Sequence, residues 1–379
     1  MLLWAVVGLL VVIAVPYVAY VGLYYVIRPS GSPANKVFET EPVSVILPTY
    51  NEADIVASKL EELHGLAYPD DLEIVVVDSS DDDTAEIVRQ FDTAHVDATI
   101  TLIEESERSG VANAVNLAVE KARHDVLFRT DCDSKLDGES VTHAVANLQD
   151  AEIGGVTGRQ SEVIGDSDVE QDYRDLQTRN LALESALDST FIVHGPCFAF
   201  RREFFEPIAS DSLADDTEIG VTIRRRGKRV VMDPEMQFAE VGVSDVRARR
   251  RRKDRRAMGL VQLLLRHRGL LGRDGAYGRI VLPFNWWFMI VSPWLLALWF
   301  ALLFVTGIVL LGPLGLLVPA GTALFIALGH RDNLGGLQPL YAIFDSQLSL
   351  VLGSARLLMH ETDGTWEIDT DSRKQFDDE

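Results

Sequence analysis

Two long apolar stretches without a charged side chain bracket this chain, over residues 2–27 and 281–328. About 20 apolar residues in a helix cross the roughly 30 Å hydrocarbon layer of a bilayer. The first stretch matches one crossing. A cleaved leader would open on basic residues and have a shorter apolar core, so a retained transmembrane helix is expected over 1–28. Tyr17, Tyr20, Tyr24 and Tyr25 suit its interfacial end, and Arg28 and Lys36 favour a cytoplasmic exit. The second stretch is too long for one crossing, and Gly312-Pro313 divides it into two helices with a tight, uncharged turn. A further segment, 337–359, contains Asp345, Gln347 and Arg356; it either spans or lies at the interface. The expected layout is therefore a multi-pass protein of the cell membrane. A basic amphipathic interface segment (246–275) precedes the membrane region (281–360), and an acidic tail (361–379) follows it.

The stretch between these ends, 41–245, has a different pattern. Short apolar runs at Val43–Leu47, Glu73–Val77, Ala98–Glu104 and Val126–Thr130 read as strands. Amphipathic segments at Asp54–Leu63, Thr84–Phe91 and Val111–Ala122 read as helices between them. This alternation predicts an α/β domain with a mostly parallel, Rossmann-like sheet. Ligands of such sheets sit beyond the carboxyl ends of the strands. Three polar clusters follow strands there: Pro48-Thr49-Tyr50-Asn51-Glu52, Asp78-Ser79-Ser80, and Asp131-Cys132-Asp133.

The last cluster is the candidate cation site. Mg²⁺ is held by one or two protein carboxylates, with phosphate oxygens and water completing its shell. The same spelling recurs at Asp81-Asp82-Asp83, Asp166-Ser167-Asp168 and Asp369-Thr370-Asp371. Of these, Asp81 to Asp83 read as caps of the helix that follows, where carboxylates meet free N–H groups. Position at the end of a central strand singles out Asp131 and Asp133.

Charge narrows the partners. The chain carries 57 acidic against 35 basic residues, for a formal −22, which argues against nucleic acid. It is rich in aspartate and has only seven lysines. That balance resembles proteins of salt-loving organisms; acidic proteins of GC-rich genomes share it. Cys132 and Cys197 have no metal-like spacing and read as reduced thiols.

The basic run Arg247–Arg256 precedes the membrane region. Such a cluster reads as an anchor to anionic lipid; the other reading is a clamp on a diphosphate, where a guanidinium fork suits phosphate oxygens.

With these residues in order, the segment 41–260 resembles the family-two glycosyltransferases of GT-A fold, the membrane-bound group that includes cellulose and hyaluronan synthases. VSVILPTYNE (Val43–Glu52) looks like the family's first strand and nucleotide-binding turn, and VVVDSSDDDT (Val75–Thr84) like the segment whose Asp contacts the base. Arg108–Asn116 is similar to its Arg-x-Gly-Lys-Ala…Leu-Asn stretch. Asp131-Cys132-Asp133 falls at its metal-binding Asp-x-Asp, Gly195–Arg202 at its acceptor-side glycine loop, and Leu213–Glu218 at the motif with its catalytic base.

The resemblance implies that Pro48, Thr49, Tyr50, Asn51, Glu52 and Asp78 cradle the nucleotide of a UDP- or GDP-sugar. It implies Mg²⁺ or Mn²⁺ on Asp131 and Asp133, with Asp131 also meeting ribose or sugar. Asp216 takes the role of the base that deprotonates the acceptor hydroxyl in one-step inverting transfer. The pair Asp215-Asp216 also reads as a helix cap. Arg255 is the one match to the Gln-x-x-Arg-Trp of polymerising relatives and either touches the donor diphosphate or faces lipid with the other arginines.

Two departures weigh on the product. Val111 stands where the family has Lys, and Arg252 and Arg256 stand where processive synthases have Gln and Trp. Single transfer to a lipid-linked glycan or glycolipid is therefore expected. The alternatives are a processive polysaccharide synthase and a polyprenyl-phosphate sugar synthase.

Overall fold

The computed structural model describes residues 1–96, 98–164, 168–241, 246–331 and 333–359. The acidic tail expected at 361–379, and the Asp-x-Asp spellings at 166 and 369, lie outside the described residues. The chain opens with α1 (Leu2–Ile27). Then β1 (Val43–Thr49), α2 (Val56–His64), β2 (Leu72–Asp78), α3 (Thr84–Ala94), β3 (Thr99–Glu104), α4 (Val111–Lys121) and β4 (Val126–Arg129) alternate as the apolar runs predict. Next come β5 (Ser134–Leu136), α5 (Ser140–Leu148), β6 (Ile153–Ile164), α6 (Asp168–Leu187), β7 (Phe198–Arg201), α7 (Asp215–Arg225) and β8 (Arg229–Val241).

The eight strands form one sheet in the order β3-β2-β1-β4-β7-β6-β8-β5. The half from β3 to β4 is parallel. From β1 the chain first builds outward to β2 and β3, then returns to place β4 on the other side of β1. That reversal opens a crevice at the carboxyl ends of β1 and β4, where open α/β sheets bind ligands. Side chains alternate between the two faces because successive strand residues point opposite ways. Val45, Leu47, Val76 and Phe128 pack under α2, α3 and α5. Ile46, Val75, Val77 and Leu127 pack with α4 and α7. Arg129 shares parity with Leu127, so the strand turns it toward α7. The second half of the sheet mixes directions: β7 is antiparallel to β4 and β6, while β6 and β8 pair in parallel through several register shifts.

The described residues after β8 are mainly helical. They comprise α8 (Val246–Arg266), α9 (Leu282–Trp286), α10 (Ser292–Leu311), α11 (Leu317–Gly329) and α12 (Gln338–Leu358). Among the described residues, Leu2–Ile27 and Tyr277–Gly329 are long and apolar enough to cross a membrane. The second stretch reverses at Gly312, whose φ of 58° suits glycine, and Gly315 then packs on Gly307. The segment 337–359, left between spanning and interfacial, does not join that pair: α12 carries Asp345 and buries Gln347 and Ser354.

The α/β domain and the helical region share a core, in which Phe191 and Val221 meet Leu260, Leu264, Tyr277 and Leu282. Tyr17 and Tyr20 of α1 depart from the interfacial expectation. Tyr20 is buried, stacks on Phe284 at 3.5 Å between centroids, and donates to Glu184 of α6. Tyr17 bonds the Ser292 hydroxyl at 2.8 Å. A buried phenol needs a hydrogen-bond partner, and these partners dock α1 on α6 and α10.

Candidate active site

The turn after β1 is held by its own polar side chains. Thr49 and Asp78 are register partners at the ends of β1 and β2, and the Thr49 hydroxyl donates to Asp78 at 2.6 Å. The Ser80 hydroxyl also donates to Asp78 and accepts from the Asn51 N–H. Asn51 has φ 53°, a left-handed conformation that Asn tolerates better than most residues, and its side-chain oxygen accepts from the Asp81 N–H at 2.8 Å. The Glu52 N–H donates to Thr84. Asp78 is 3% exposed, so it braces the turn from beneath and offers a ligand little surface. Tyr50 lies on top, with the Arg108 guanidinium 3.7 Å from its ring centroid.

Asp81 and Asp82 correct the helix-cap expectation in part. Asp82 accepts from Thr84 at the start of α3, but it also reaches back to the Ala53 N–H, and Asp81 accepts from the Tyr50 hydroxyl. Asp83 holds the N-cap position without a side-chain cap bond. The run stitches the turn after β2 to the turn after β1.

Asp131 and Asp133 stand just past the end of β4. The loop that carries them is pinned by Lys59, wholly buried, whose ammonium donates to the Ser134 carbonyl at 2.8 Å and to Glu62 at 3.1 Å. Glu62 in turn accepts from the Leu136 N–H. The side chain of Asp131 keeps 30% exposure, and Arg129 Nη2 lies 3.4 Å from it. Burial holds the Asp131 carboxyl above the usual carboxylate range against the pull of Arg129, and the charges of Asp133, Asp215 and Glu240 add to the rise.

The opposite wall is the first turn of α7. Asp216 accepts from the Gly195 N–H at 2.9 Å on one oxygen and from the Thr217 N–H at 2.6 Å on the other. Each oxygen keeps a second lone pair. The neighbouring Asp215 is buried, and its carboxyl is raised by burial. Arg129 Nη2 sits 3.0 Å from it. Over this wall lies α8, fastened by Arg266, which donates from one nitrogen to both oxygens of Glu218. Gly259 permits the approach: a Cβ there would lie 2.7 Å from the Leu213 carbonyl oxygen.

Arg255 reaches this site. Burial pushes its guanidinium down to about 10; the charges of Arg252 and Arg256 add to the fall, and those of Asp215 and Asp133 oppose it. Several of the neighbours read as lipid-facing are met by protein groups. Arg250 pairs with Asp254 and Asp345, Lys253 with Asp345, and Arg252 with Glu240. Arg256 contacts the His194 ring at 3.4 Å. Carboxylates on β8, α8 and α12 hold these cations against protein, because Asp254 and Asp345 are themselves largely shielded from water.

The donor set suits a hard dication. Asp131, Asp133, Asp215 and Asp216 place four carboxylates against the guanidinia of Arg129 and Arg255, with Glu240 acting on Asp131, and Mg²⁺ or Mn²⁺ prefers such oxygen ligands. Elsewhere, His143, Asp233 and Glu235 bring ligand atoms within 4.8 Å of one another. There the cation is already Lys36, whose ammonium lies 2.5 Å from both Asp233 and Glu235. That cluster ties the segment after α1 to β8.

Pro48, Thr49, Tyr50, Asn51, Glu52, Asp131 and Asp133 thus line one sheet edge, with Asp216 and Arg255 facing the last two and Asp78 beneath. Sequence reasoning missed Arg129 and Lys59. A charged residue in a strand or amphipathic helix reads as solvent-facing; the available signal was that Arg129 follows Val126-Leu127-Phe128, two residues before Asp131, and that Lys59 shares a helix face with Ile55, Val56 and Leu63.

The family described as Glycosyl transferase family 2 matches residues 44–208, and Glycosyl transferase family group 2 matches residues 128–329. Among characterised proteins, the chain is 28% identical over 121 residues to poly-beta-1,6-N-acetyl-D-glucosamine synthase of Staphylococcus epidermidis, across 32% of this chain and 29% of that protein. It is 24% identical over 214 residues to the synthase of the same name from Staphylococcus aureus strain MSSA476, across 53% and 50%. The matched segments span half or less of those two proteins. The solved structure of mannosyltransferase PcManGT from Pyrobaculum calidifontis, in complex with GDP-Man and Mn²⁺, superposes with a TM-score of 0.80 at 27% identity. It covers 95% of this chain and 100% of that one.

Proposed function

The chain belongs to the glycosyl transferase family group 2, and from that premise we propose that it moves a sugar from a nucleotide-sugar donor to an acceptor at a membrane surface, with inversion. The observation that carries this reading is the meeting of three chain segments at one sheet edge. These are the turn Tyr50–Glu52, the pair Asp131 and Asp133, and Asp216 on the first turn of α7.

In this reading the turn after β1 seats the nucleotide, with Tyr50 as its half-buried ring. Asp131 and Asp133 hold Mg²⁺ or Mn²⁺, which when bound offsets the charge of the departing nucleoside diphosphate. Arg255 adds a guanidinium on the same side. Asp216 takes the proton of the acceptor hydroxyl as the acceptor oxygen bonds the anomeric carbon and the bond to the diphosphate breaks.

The donor is a UDP- or GDP-sugar, a range supported by the GDP-Man of the archaeal relative. The acceptor is a lipid-linked glycan or glycolipid, supported by the shared core of catalytic domain and apolar helices. Domain limits, the cell-membrane location with a cytoplasmic catalytic side, and single rather than repeated transfer complete the proposal. Processive synthesis is the second reading, because the relatives in Staphylococcus are named as polymer synthases. Against it, the acceptor side carries Arg252 and Arg256, held on Glu240 and His194.

The test uses the intact chain in lipid nanodiscs, Mn²⁺, a panel of UDP- and GDP-sugars, and a polyprenol-linked disaccharide and a diacylglycerol glycolipid as acceptors. Mass spectrometry of the lipid product is expected to find one added sugar with one donor. A ladder of sugars would favour the polymerase, and no turnover of any donor would sink the enzyme reading.

A further inference from the structure

Arg129 ends a central strand at 5% exposure. One of its nitrogens, Nη2, is shared between Asp215 at 3.0 Å and Asp131 at 3.4 Å. The other two, Nε and Nη1, are buried without a hydrogen-bond partner, and so is the Asp215 oxygen that Nη2 approaches. A buried donor left without a partner is costly. Neutral, well-packed side chains in place of a buried ion pair are often as stable or more so. This arrangement is therefore poor as a device for stability alone.

Its geometry makes sense as a spacer. Nη1 occupies the place a side chain at position 195 would take: a Cβ on Gly195 would lie 1.4 Å from Nη1 and 3.1 Å from the Asp216 carboxylate. The same glycine donates its N–H to Asp216. One rigid, planar group thus touches the candidate cation pair at Asp131, the acceptor wall at Asp215, and the glycine that orients Asp216. A lysine, with a single point of charge, spans one of these contacts at a time.

We infer that Arg129 is a positioning residue that ties Asp131 to the acceptor-side pair Asp215 and Asp216, so that the cation site and the base keep one spacing. This rests on the roles given above to Asp131 and Asp216.

Wild type is compared with R129K and with the double variant R129M/D215N, which removes two buried opposite charges together and leaves the fold better able to survive. Mn²⁺ binding in the presence of GDP or UDP is read by electron paramagnetic resonance, sugar transfer by kcat, and folding by Tm. In the double variant Tm stays near wild type, while Mn²⁺ binding weakens about 10-fold and kcat falls about 100-fold through misplacement. R129K keeps the charge and shows both losses, in smaller measure.

Wild-type Mn²⁺ affinity with wild-type kcat in the double variant would mean that Arg129 only neutralises Asp215. Loss of one readout without the other also contradicts the inference, since a shared tie moves both. Should the double variant not fold, R129K decides on the same two readouts. A wild type that neither binds Mn²⁺ with nucleotide nor transfers sugar would instead overturn the functional reading itself.

Discussion

Gly195 lacks a side chain because Arg129 stands where one would go. Sequence reading places Gly195 in an acceptor-side glycine loop, and its physical role is narrower than flexibility. It lets a guanidinium lie against the backbone that feeds Asp216. Gly195→Ala must push Arg129 off Asp215 or move the loop, and overpacking of this kind costs about 1–3 kcal/mol. We expect G195A to fold with a lowered Tm and to lose about 100-fold in kcat through misplacement of Asp216. Steady-state transfer assays beside thermal unfolding measure both. Full activity in G195A would show that the contact has slack. The residues that sequence reading finds at this scale, Asp131, Asp133 and Asp216, are those that spacing marks. Arg129 and Lys59 escape it because a buried charge and a solvated one look alike until the partners across the sheet are known.

Among elements, α8 departs furthest from expectation. Its arginines look like a lipid anchor, yet carboxylates on β8 and α12 and the ring of His194 take several of them. Its far end is tied to α7 through Glu218. Burial raises the Glu218 carboxyl, and hydrogen bonds from His267, Ser212 and Arg266 together outweigh it and bring it from 4.5 down to about 2. A carboxylate whose folded value is depressed adds stability above its unfolded value. That stability, on the order of 3 kcal/mol, is lost as pH falls from about 4.5 through about 2. E218Q should therefore unfold at a lower temperature than wild type at pH 7, and the gap should close toward pH 2. An unchanged gap across that range would place the tie elsewhere.

The strands divide by legibility for a related reason. Buried on both faces, β1, β2 and β4 are short, mostly apolar runs. The long strands β6 and β8 contain Gly154-Gly155, Gly158 and Pro234, and their pairing shifts register more than once. These interruptions erase the period of two that marks a strand.

At the scale of the molecule, the reversal between β1 and β4 makes the crevice, and the core shared by α7, α8 and the apolar helices sets the α7 wall of the crevice beside those helices. The βαβ order and the apolar ends were legible because each is a local pattern. The docking of α1 through Tyr20 and Glu184, and of α8 through Asp345, depends on contacts between residues far apart in sequence, which no window of the chain displays. The central claim is that Asp216 acts as the base opposite a cation-held donor. The most direct test is the rate of sugar transfer by Asp216→Asn in nanodiscs at saturating Mn²⁺ and donor. The account predicts that kcat falls by about 10²–10⁴ while Mn²⁺-dependent nucleotide binding stays at the wild-type level. An Asp216→Asn enzyme that transfers sugar at the wild-type rate would contradict it.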